Sequence, residues 1–259
     1  MISASVGFQC PQCVAEGKAS APVLKTRLGA KAIERPYVTF ALIGLNVVAF
    51  ALTALSKTDP QSGLDQVTND YGMWPIGVAL GDQYYRLATA MFLHAGIAHI
   101  AVNMLALWVL GPQLEALFGH VRYTVLYLVA GLGGSVASFW FSPPNIVGVG
   151  ASGAIFGLMG AMVVVARRLN VDIRPYVGII VINVVIGFVF AGIDWRAHFG
   201  GLVTGALVGL LFAYAPVRGR VLVQSAGVLV ILAVLAVGVV VRDNELTAQL
   251  LRLGIDSLA

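Results

Sequence analysis

Charged residues divide the chain into apolar blocks that are long enough to cross a membrane. Tyr37–Ser56 contains no Asp, Glu, Lys or Arg, and a helix needs about 20 apolar residues to span the hydrocarbon core. A second span starts near Ile97. The 44 uncharged residues from Tyr123 to Ala166 hold two spans, because Ser142-Pro143-Pro144-Asn145 interrupts a helix. Three later blocks complete a prediction of seven transmembrane helices: Pro175–Ile193, Ala197–Val217 and Val221–Val241.

The composition supports this pattern and excludes other classes. Hydrophobic residues make up 59% of the 259 residues and charged residues 11%, whereas soluble domains carry about 25% charged residues. The mean hydropathy is +0.89. A soluble globule and a disordered chain are therefore excluded. A transmembrane barrel would alternate apolar and polar residues in short strands, so we expect an all-α polytopic helix bundle.

The distribution of positive charge predicts how the chain crosses the membrane. With the N-terminus inside, eleven of the sixteen Lys and Arg residues lie in cytoplasmic segments. The positive-inside rule then places the N-terminus in the cytoplasm and, after seven crossings, the C-terminus outside. This asymmetry also accounts for the net charge of +4, so we expect no nucleic acid partner. We expect a multi-pass protein of the plasma membrane without a cleavable signal sequence.

Few strongly polar side chains fall inside the predicted spans, and three groups of them share one depth. His99 and Asn103 lie four residues apart near the start of span two, on one helix face. Ser152 opens span four and His198 opens span six. Spans two, four and six run in the same direction, so these residues lie a few ångströms below the outer surface. Polar groups inside a membrane are costly, which makes this cluster a candidate active site.

Glycines allow the two helices concerned to approach closely. Gly201, Gly205 and Gly209 recur every four residues in span six, and span four offers Gly153 and Gly157. Such packing brings a Ser152 hydroxyl within reach of a His198 nitrogen. His198 is then a candidate general base for a serine nucleophile, with no acidic residue in spans two, four or six to complete a triad. Asp194 precedes His198 by one helical turn and is a weaker candidate as its orienting group.

Oxyanion donors are also present in the sequence. The Asn103 amide, His99 and the Ser152 backbone N–H at a helix start could stabilise a developing negative charge. Each residue alone also has a structural interpretation: Ser152 as a helix N-cap or packing residue, and the histidines as interfacial hydrogen-bonding groups. Asn46 and Asn183 are interpreted as interhelical hydrogen-bonding residues, and His120 as a solvated loop residue.

These residues resemble the signatures of the rhomboid family of intramembrane serine proteases. The matching segments are His94-Ala-Gly-Ile-Ala-His99-Ile-Ala-Val-Asn103, then Gly150-Ala151-Ser152-Gly153, then His198 with Gly201 and Gly205. They occur in the family's order on the expected helices, and the resemblance covers about Tyr37 to Tyr214. It implies a six-helix core with a seventh C-terminal span.

The resemblance also implies roles for single residues. Ser152 is expected to be the nucleophile and His198 the general base, with His99, Asn103 and the Ser152 amide as the oxyanion hole. His94, Gly150, Gly153, Gly201 and Gly205 are expected to support this site. The expected substrates are transmembrane segments of other proteins, cut near the outer membrane face, and no metal or cofactor is implied. The metalloprotease signature H-E-x-x-H is absent from the sequence.

The predicted organisation has three parts. Residues 1–36 form a cytoplasmic segment, residues 37–217 the protease core, and residues 218–259 the seventh span with an outer tail. Outer loop 57–86 contains Tyr71, Trp74, Tyr84 and Tyr85, which suit an element in the membrane interface. It corresponds to the family's membrane-embedded first loop, although Tyr85-Arg86 stands where the family often has Trp-Arg.

The N-terminal segment carries the two cysteines, Cys10 and Cys13, at a spacing that supplies half of a tetrahedral zinc site. Some actinobacterial rhomboids have a cysteine-rich, zinc-finger-like segment before the first span, and Cys10–Val14 resembles its end. A longer reading frame or a second chain would have to provide the other ligands. The following basic stretch, Lys18–Arg35, suits anionic lipid headgroups.

Three other functions fit parts of this pattern. A transporter or channel would also have many spans, but its site usually lies near the bilayer midplane at broken helices. A non-cutting rhomboid-like protein would bind membrane helices, although such proteins typically lack the serine or the histidine. A metal enzyme that uses His94, His99 and His198 is a more distant alternative.

Overall fold

Helices occupy all seven predicted apolar blocks in the computed structural model of the chain. It describes residues 2–3, 7–20, 25–58, 64–189 and 192–255. The prediction of an all-α polytopic bundle is confirmed. The helices are α1 (Pro11–Ser20), α2 (Tyr37–Leu55), α3 (Gln66–Tyr71), α4 (Pro75–Gly81), α5 (Arg86–Thr89), α6 (Ile97–Phe118), α7 (His120–Phe141), α8 (Ser152–Arg168), α9 (Arg174–Val189), α10 (Trp195–Tyr214) and α11 (Arg220–Arg252). A short antiparallel hairpin, β1 (Ile2–Ser3) and β2 (Phe8–Gln9), precedes α1.

Five of these helices, α2, α6, α7, α10 and α11, are long and apolar enough to cross a membrane by themselves among the described residues. The prediction of a full-length span is therefore confirmed for five of the seven apolar blocks. Helix α8 has 17 residues, which is about 25 Å of helix. Most of its residues are buried against α7 and α10, so its length is not set by contact with lipid. Helix α9 has 16 residues and ends just before the undescribed residues 190–191.

The link between α6 and α7 is a single residue, Gly119, with a φ of 76°. Helix α6 therefore continues to Phe118 and includes Glu115, which corrects the expectation of no acidic residue in span two. Glu115 is fully buried and lies about 24 Å along the helix from His99. It accepts hydrogen bonds from the Val38 and Thr39 backbone amides at 2.9 and 2.8 Å. The carboxylate thus caps the N-terminus of α2, where the helix dipole favours negative charge.

Two smaller predictions about polar residues are wrong. His120 begins α7, and its Nδ1 lies 2.6 Å from Glu115 Oε1, so it lies in a helix and not in a loop. The Asn183 side-chain amide donates to a carbonyl four residues earlier in its own helix at 2.8 Å, and not to another helix. The Asn46 amide makes the same local bond at 2.8 Å, and its side chain also lies near Tyr127 of α7. A short amide side chain in a helix can readily reach the backbone carbonyl of the preceding turn.

The outer loop is an ordered layer at the end of the bundle where α6, α8 and α10 begin. It contains α3 and α4, while its residues 59–63 lie outside the described part of the chain. Arg86 is buried beneath this layer and donates from Nη1 to the carbonyls of Asn69 and Gly72, both at 2.8 Å. Its guanidinium also lies 5.7 Å from the ring centroids of Trp74 and Tyr85. The arginine therefore ties α3 to the start of α5.

The tightest contact in the bundle joins α8 and α10. A methyl group at Gly201 would overlap the carbonyl oxygen of Gly153, and one at Gly205 would overlap the backbone of Gly157. At the next turn, a methyl group at Gly209 would lie 2.9 Å from Ala161 Cα. The two backbones therefore touch over three turns, as the predicted small-residue spacing requires.

The basic N-terminal segment is partly docked on the opposite end of the bundle. Leu28 is buried, and its carbonyl accepts hydrogen bonds from Arg122 and Arg220, both at 3.1 Å. Residues 21–24 of the stretch predicted to bind lipid headgroups lie outside the described residues. Cys10 and Cys13 are exposed free thiols at the start of α1. Backbone amides of Cys13 and Gln12 lower the pKa of the Cys10 thiol.

We expect Gly205→Ala to lower the stability of the bundle, because the added methyl group meets backbone atoms that cannot rotate away. Overpacking of this kind costs about 1–3 kcal/mol. Gly44→Ala is the matched control, since a methyl group there meets no atom within 4 Å. Thermal unfolding in one detergent should show a lower midpoint for Gly205→Ala and an equal or higher one for Gly44→Ala. Equal midpoints for the two variants would contradict close packing of α8 on α10.

Candidate active site

The three predicted polar clusters meet at one end of the bundle. His99 is the third residue of α6, Ser152 the first of α8, and His198 the fourth of α10. All three helices begin at the end covered by the outer loop. The predicted common depth therefore corresponds to a common location in the structure.

Ser152 and His198 are joined by a hydrogen bond. Ser152 Oγ lies 2.8 Å from His198 Nε2. The glycine contacts between α8 and α10 make this distance possible. Two packed helix axes ordinarily lie about 8–10 Å apart, and the two side chains are too short to reach each other easily unless the helices approach closely. A serine hydroxyl beside an imidazole nitrogen is the arrangement in which the base can remove the hydroxyl proton.

The His198 ring is held by a residue that the sequence interpretation missed. Phe156 stacks on the imidazole with a centroid distance of 4.1 Å and an interplanar angle of 13°. Phe156 lies four residues after Ser152, one turn further along the same face of α8. Helix α8 therefore supplies both the hydroxyl and the aromatic platform for its partner ring. The i, i+4 spacing from the serine was the available signal in the sequence.

No carboxylate in the described part of the chain contacts His198. Its Nδ1 is buried and has no hydrogen-bonding partner there. Asp194 serves a different role: one carboxylate oxygen accepts from the Arg196 and Ala197 amides at 3.1 and 3.2 Å, and the other accepts from Ser138 Oγ at 2.5 Å. Asp194 is thus the N-cap of α10, and it does not orient the imidazole by a hydrogen bond.

Gly150 leaves a space between His99 and Ser152. A methyl group at Gly150 would lie 2.9 Å from His99 Nε2 and 3.4 Å from Ser152 Oγ. Its φ of 140° also favours glycine, and its amide donates to the Ala90 carbonyl at 2.9 Å. The backbone at Gly150 is therefore fixed, and the volume that a side chain would fill lies between the hydroxyl and the imidazole.

Three hydrogen-bond donors at the start of α8 and in the first two turns of α6 have no acceptor among the described residues. Ser152 N–H belongs to the first residue of α8, so it has no acceptor inside the helix. His99 Nδ1 accepts from the Ala95 amide at 3.4 Å, which favours a proton on Nε2 in the neutral ring. Asn103 Nδ2 is buried without a partner among the described residues. A buried donor left unpaired is costly, and a ligand oxygen would satisfy it.

His94 lies behind His99 rather than beside Ser152. It is buried, and its ring meets the His99 ring edge-on at a centroid distance of 5.1 Å.

Cys10 and Cys13 lie in the N-terminal segment, and no group of three or more His, Cys, Asp or Glu side chains within the described ranges could hold a metal ion.

Comparison with known proteins gives a consistent family assignment. The Rhomboid domain profile matches residues 81–215. The chain is 36% identical over 212 residues to the rhomboid protease GluP of Bacillus subtilis, covering 79% of this chain and 40% of that protein. It is 31% identical over 181 residues to YdcA of the same bacterium, covering 68% of this chain and 88% of that protein. RHOMBOID-like protein 6, mitochondrial, of Arabidopsis thaliana is 40% identical over 149 residues, which is 55% of this chain and 48% of that protein.

The chain therefore spans less than half the length of GluP and of RHOMBOID-like protein 6.

The stacking of Phe156 on His198 has a spectroscopic consequence. We expect Phe156→Leu to move the His198 ring-proton resonances downfield, because the ring current of the stacked phenyl group is lost. Nuclear magnetic resonance of histidine-labelled protein measures this, and the chain has only four histidines to assign. Phe199→Leu is the control, since Phe199 is adjacent in sequence but 62% exposed. An unshifted His198 in Phe156→Leu would contradict the stacked geometry.

Proposed function

Because the chain belongs to the rhomboid family, we propose that it is an intramembrane serine endopeptidase with Ser152 as nucleophile and His198 as general base. The observation that carries the proposal is the 2.8 Å hydrogen bond between Ser152 Oγ and His198 Nε2. This bond lies beside the space at Gly150 that His99 Nε2 and Ser152 Oγ border. A membrane protein that only packed its helices would have no need for this combination.

Cleavage follows from this pair in two steps. Ser152 Oγ attacks the carbonyl carbon of the scissile peptide bond while His198 Nε2 takes the hydroxyl proton. The carbon–nitrogen bond then breaks, and His198 returns the proton to the leaving amine. A water molecule next attacks the acyl ester on Ser152, with His198 again as base, and releases the new carboxyl terminus. His198 thus accepts and returns one proton in each step.

The oxyanion formed in each step needs donors that are already in position. The Ser152 amide, His99 Nε2 and Asn103 Nδ2 are proposed to supply them in the space beside Gly150. These donors have no acceptor among the described residues, which supports this role, because donors that are free before the reaction need no rearrangement when charge develops. Gly150 keeps this volume open, and Gly153, Gly201 and Gly205 set the separation between the two catalytic helices.

The proposed substrates are transmembrane segments of other membrane proteins. A peptide bond within a helix is hydrogen-bonded and shielded by its neighbours, so a substrate must unwind locally before Ser152 can reach the carbonyl. The positive-inside pattern supports a site near the outer face of the plasma membrane, with the N-terminus in the cytoplasm and the C-terminus outside. Zinc is proposed as a partner only if further ligands join Cys10 and Cys13.

We expect Ser152→Ala and His198→Ala each to lower cleavage of a reporter transmembrane substrate by about 10⁴-fold or more, as for other serine–histidine enzymes. The measurement is gel-based proteolysis in liposomes with folded, purified variants. Ser135→Ala is the serine control, because Ser135 lies in α7 and is not the serine whose hydroxyl bonds to His198. Cleavage by folded Ser152→Ala would refute the nucleophile assignment. A wild type that cuts none of several helix-destabilised substrates would favour a non-cutting binder of membrane helices.

We expect Asn103→Ala to lower kcat by about 10²–10³-fold, the usual effect of removing one oxyanion donor. KM should change little, because the bond forms fully only in the transition state. Asn183→Ala is the matched control, since the Asn183 amide is exposed and bonded within α9. A fall in kcat/KM caused by KM alone would assign Asn103 to substrate binding instead.

A further inference from the structure

The seventh span is much longer than a membrane requires. Helix α11 has 33 residues, which is about 50 Å of helix, against about 30 Å for the hydrocarbon core. Charged residues begin again at Arg242, so the excess length lies at the end of the bundle that carries the outer loop. We call residues 242–252 the α11 extension.

One face of the α11 extension is buried against the outer loop. Leu246 and Leu250 are 0% and 4% exposed and belong to an apolar cluster with Met73, Val78 and Ala90. Val239, one turn before the extension, joins the same cluster. The positions 239, 243, 246, 247 and 250 follow the helical spacing of a single contact face.

Two hydrogen bonds fix the register of this contact. Tyr84 Oη donates to Asp243 Oδ2 at 2.6 Å, and Thr247 Oγ1 donates to the Ala79 carbonyl at 3.0 Å. The bond to Asp243 raises the pKa of Tyr84 to about 12, so the hydroxyl remains a donor at neutral pH. Ala79 lies in α4 and Tyr84 lies three residues after its end, so the extension is bonded to the loop on both sides of the α4 C-terminus.

Two residues of this cluster, Met73 in the outer loop and Ala90 directly after α5, bond to the segment that leads into the candidate active site. Met73 and Gly148 exchange two backbone hydrogen bonds at 2.8 and 2.9 Å. The Ala90 carbonyl accepts from the Gly150 amide at 2.9 Å. Gly148 and Gly150 are the residues that bring the chain into Ser152. The α11 extension thus contacts the layer that fixes the backbone immediately before the nucleophile.

We propose that Asp243, Leu246 and Thr247 are positioning residues for Ser152, acting through the outer loop and the Gly148–Gly150 segment. The proposal rests on the proposed function, in which Ser152 attacks the substrate. An ångström-scale misplacement of a reacting group can cost about 100-fold in rate. Loosening one contact of the extension should therefore lower kcat by about 3- to 30-fold and leave KM nearly unchanged.

Two pairs of variants test the contact in the full-length protein in liposomes. Leu246→Ala removes a fully buried side chain, and Leu251→Ala is its control, because Leu251 is 53% exposed on the same extension. Asp243→Ala removes the acceptor for Tyr84, and Glu245→Ala is its control, because it removes the same charge from an exposed position two residues away. Asp243→Asn keeps an acceptor oxygen and should restore most of the lost kcat.

Backbone hydrogen exchange provides a second measurement that does not depend on activity. We expect Leu246→Ala and Asp243→Ala to speed exchange at the Met73, Gly148 and Gly150 amides, and the control variants to leave it unchanged. Tyr84→Phe combined with Asp243→Ala should be no worse than either alone, because the two groups share one bond.

The outcomes separate the two proposals. Faster exchange with unchanged kcat would show that the extension only stabilises the loop, and unchanged exchange would show that it does not hold the segment before Ser152. A higher kcat would identify the extension as a restraint on the reaction. Each of these results overturns the positioning role. If the wild type cuts no substrate, the proposed function fails, and exchange at Gly148 and Gly150 alone decides whether the extension holds that segment.

Discussion

The contact between the backbones of α8 and α10 is the constraint on which the site depends. Gly153 and Gly157 face Gly201 and Gly205 so closely that a single methyl group has no room. Within lipid, helix association is driven by van der Waals packing and polar contacts because water provides no hydrophobic force between helices. Small residues are therefore the most direct way to hold two helices at the separation that a 2.8 Å bond between Ser152 and His198 requires.

The helices alone do not fix the residues that precede Ser152. Residues 142–151 follow α7 without a helix of their own. Their backbone partners include Met73 of the outer loop and Ala90, which directly follows α5. Arg86 in turn holds the loop by donating to two of its carbonyls from a buried position. A buried arginine is tolerated here because its Nε and Nη1 atoms have acceptors and its charge faces aromatic rings. The bundle and the loop thus act together in setting the backbone at Ser152.

Much of this arrangement could be predicted from the sequence because it depends on helix geometry and direction. Counting charges placed His99, Ser152 and His198 at the start of three helices that run in the same direction, and the glycine spacing predicted close packing of α8 on α10. The end of α6 could not be predicted, because a charged residue such as Glu115 ordinarily marks the end of a membrane span. The hydrogen bonds from Val38 and Thr39 that allow it to be buried are visible only in the structure. Phe156 was missed because an aromatic residue in an apolar helix is ordinarily a packing residue. Its stacking on His198 depends on the rotation of two helices, which periodicity does not determine.

Asp194 caps helix α10, and for this reason its carboxylate does not contact the His198 ring that is bonded to Ser152. A charged side chain against His198 Nδ1 would have to lie within the bundle, where an ionised group is costly unless several partners satisfy it. Asp194 finds those partners one turn earlier, in two backbone amides and the Ser138 hydroxyl. Ring orientation, which a carboxylate commonly provides in soluble enzymes, is provided here by the Phe156 face. Stacking holds the imidazole plane without adding charge, and it leaves Nε2 directed at Ser152. The apolar surroundings thus favour a different way of holding an imidazole in one orientation beside a hydroxyl.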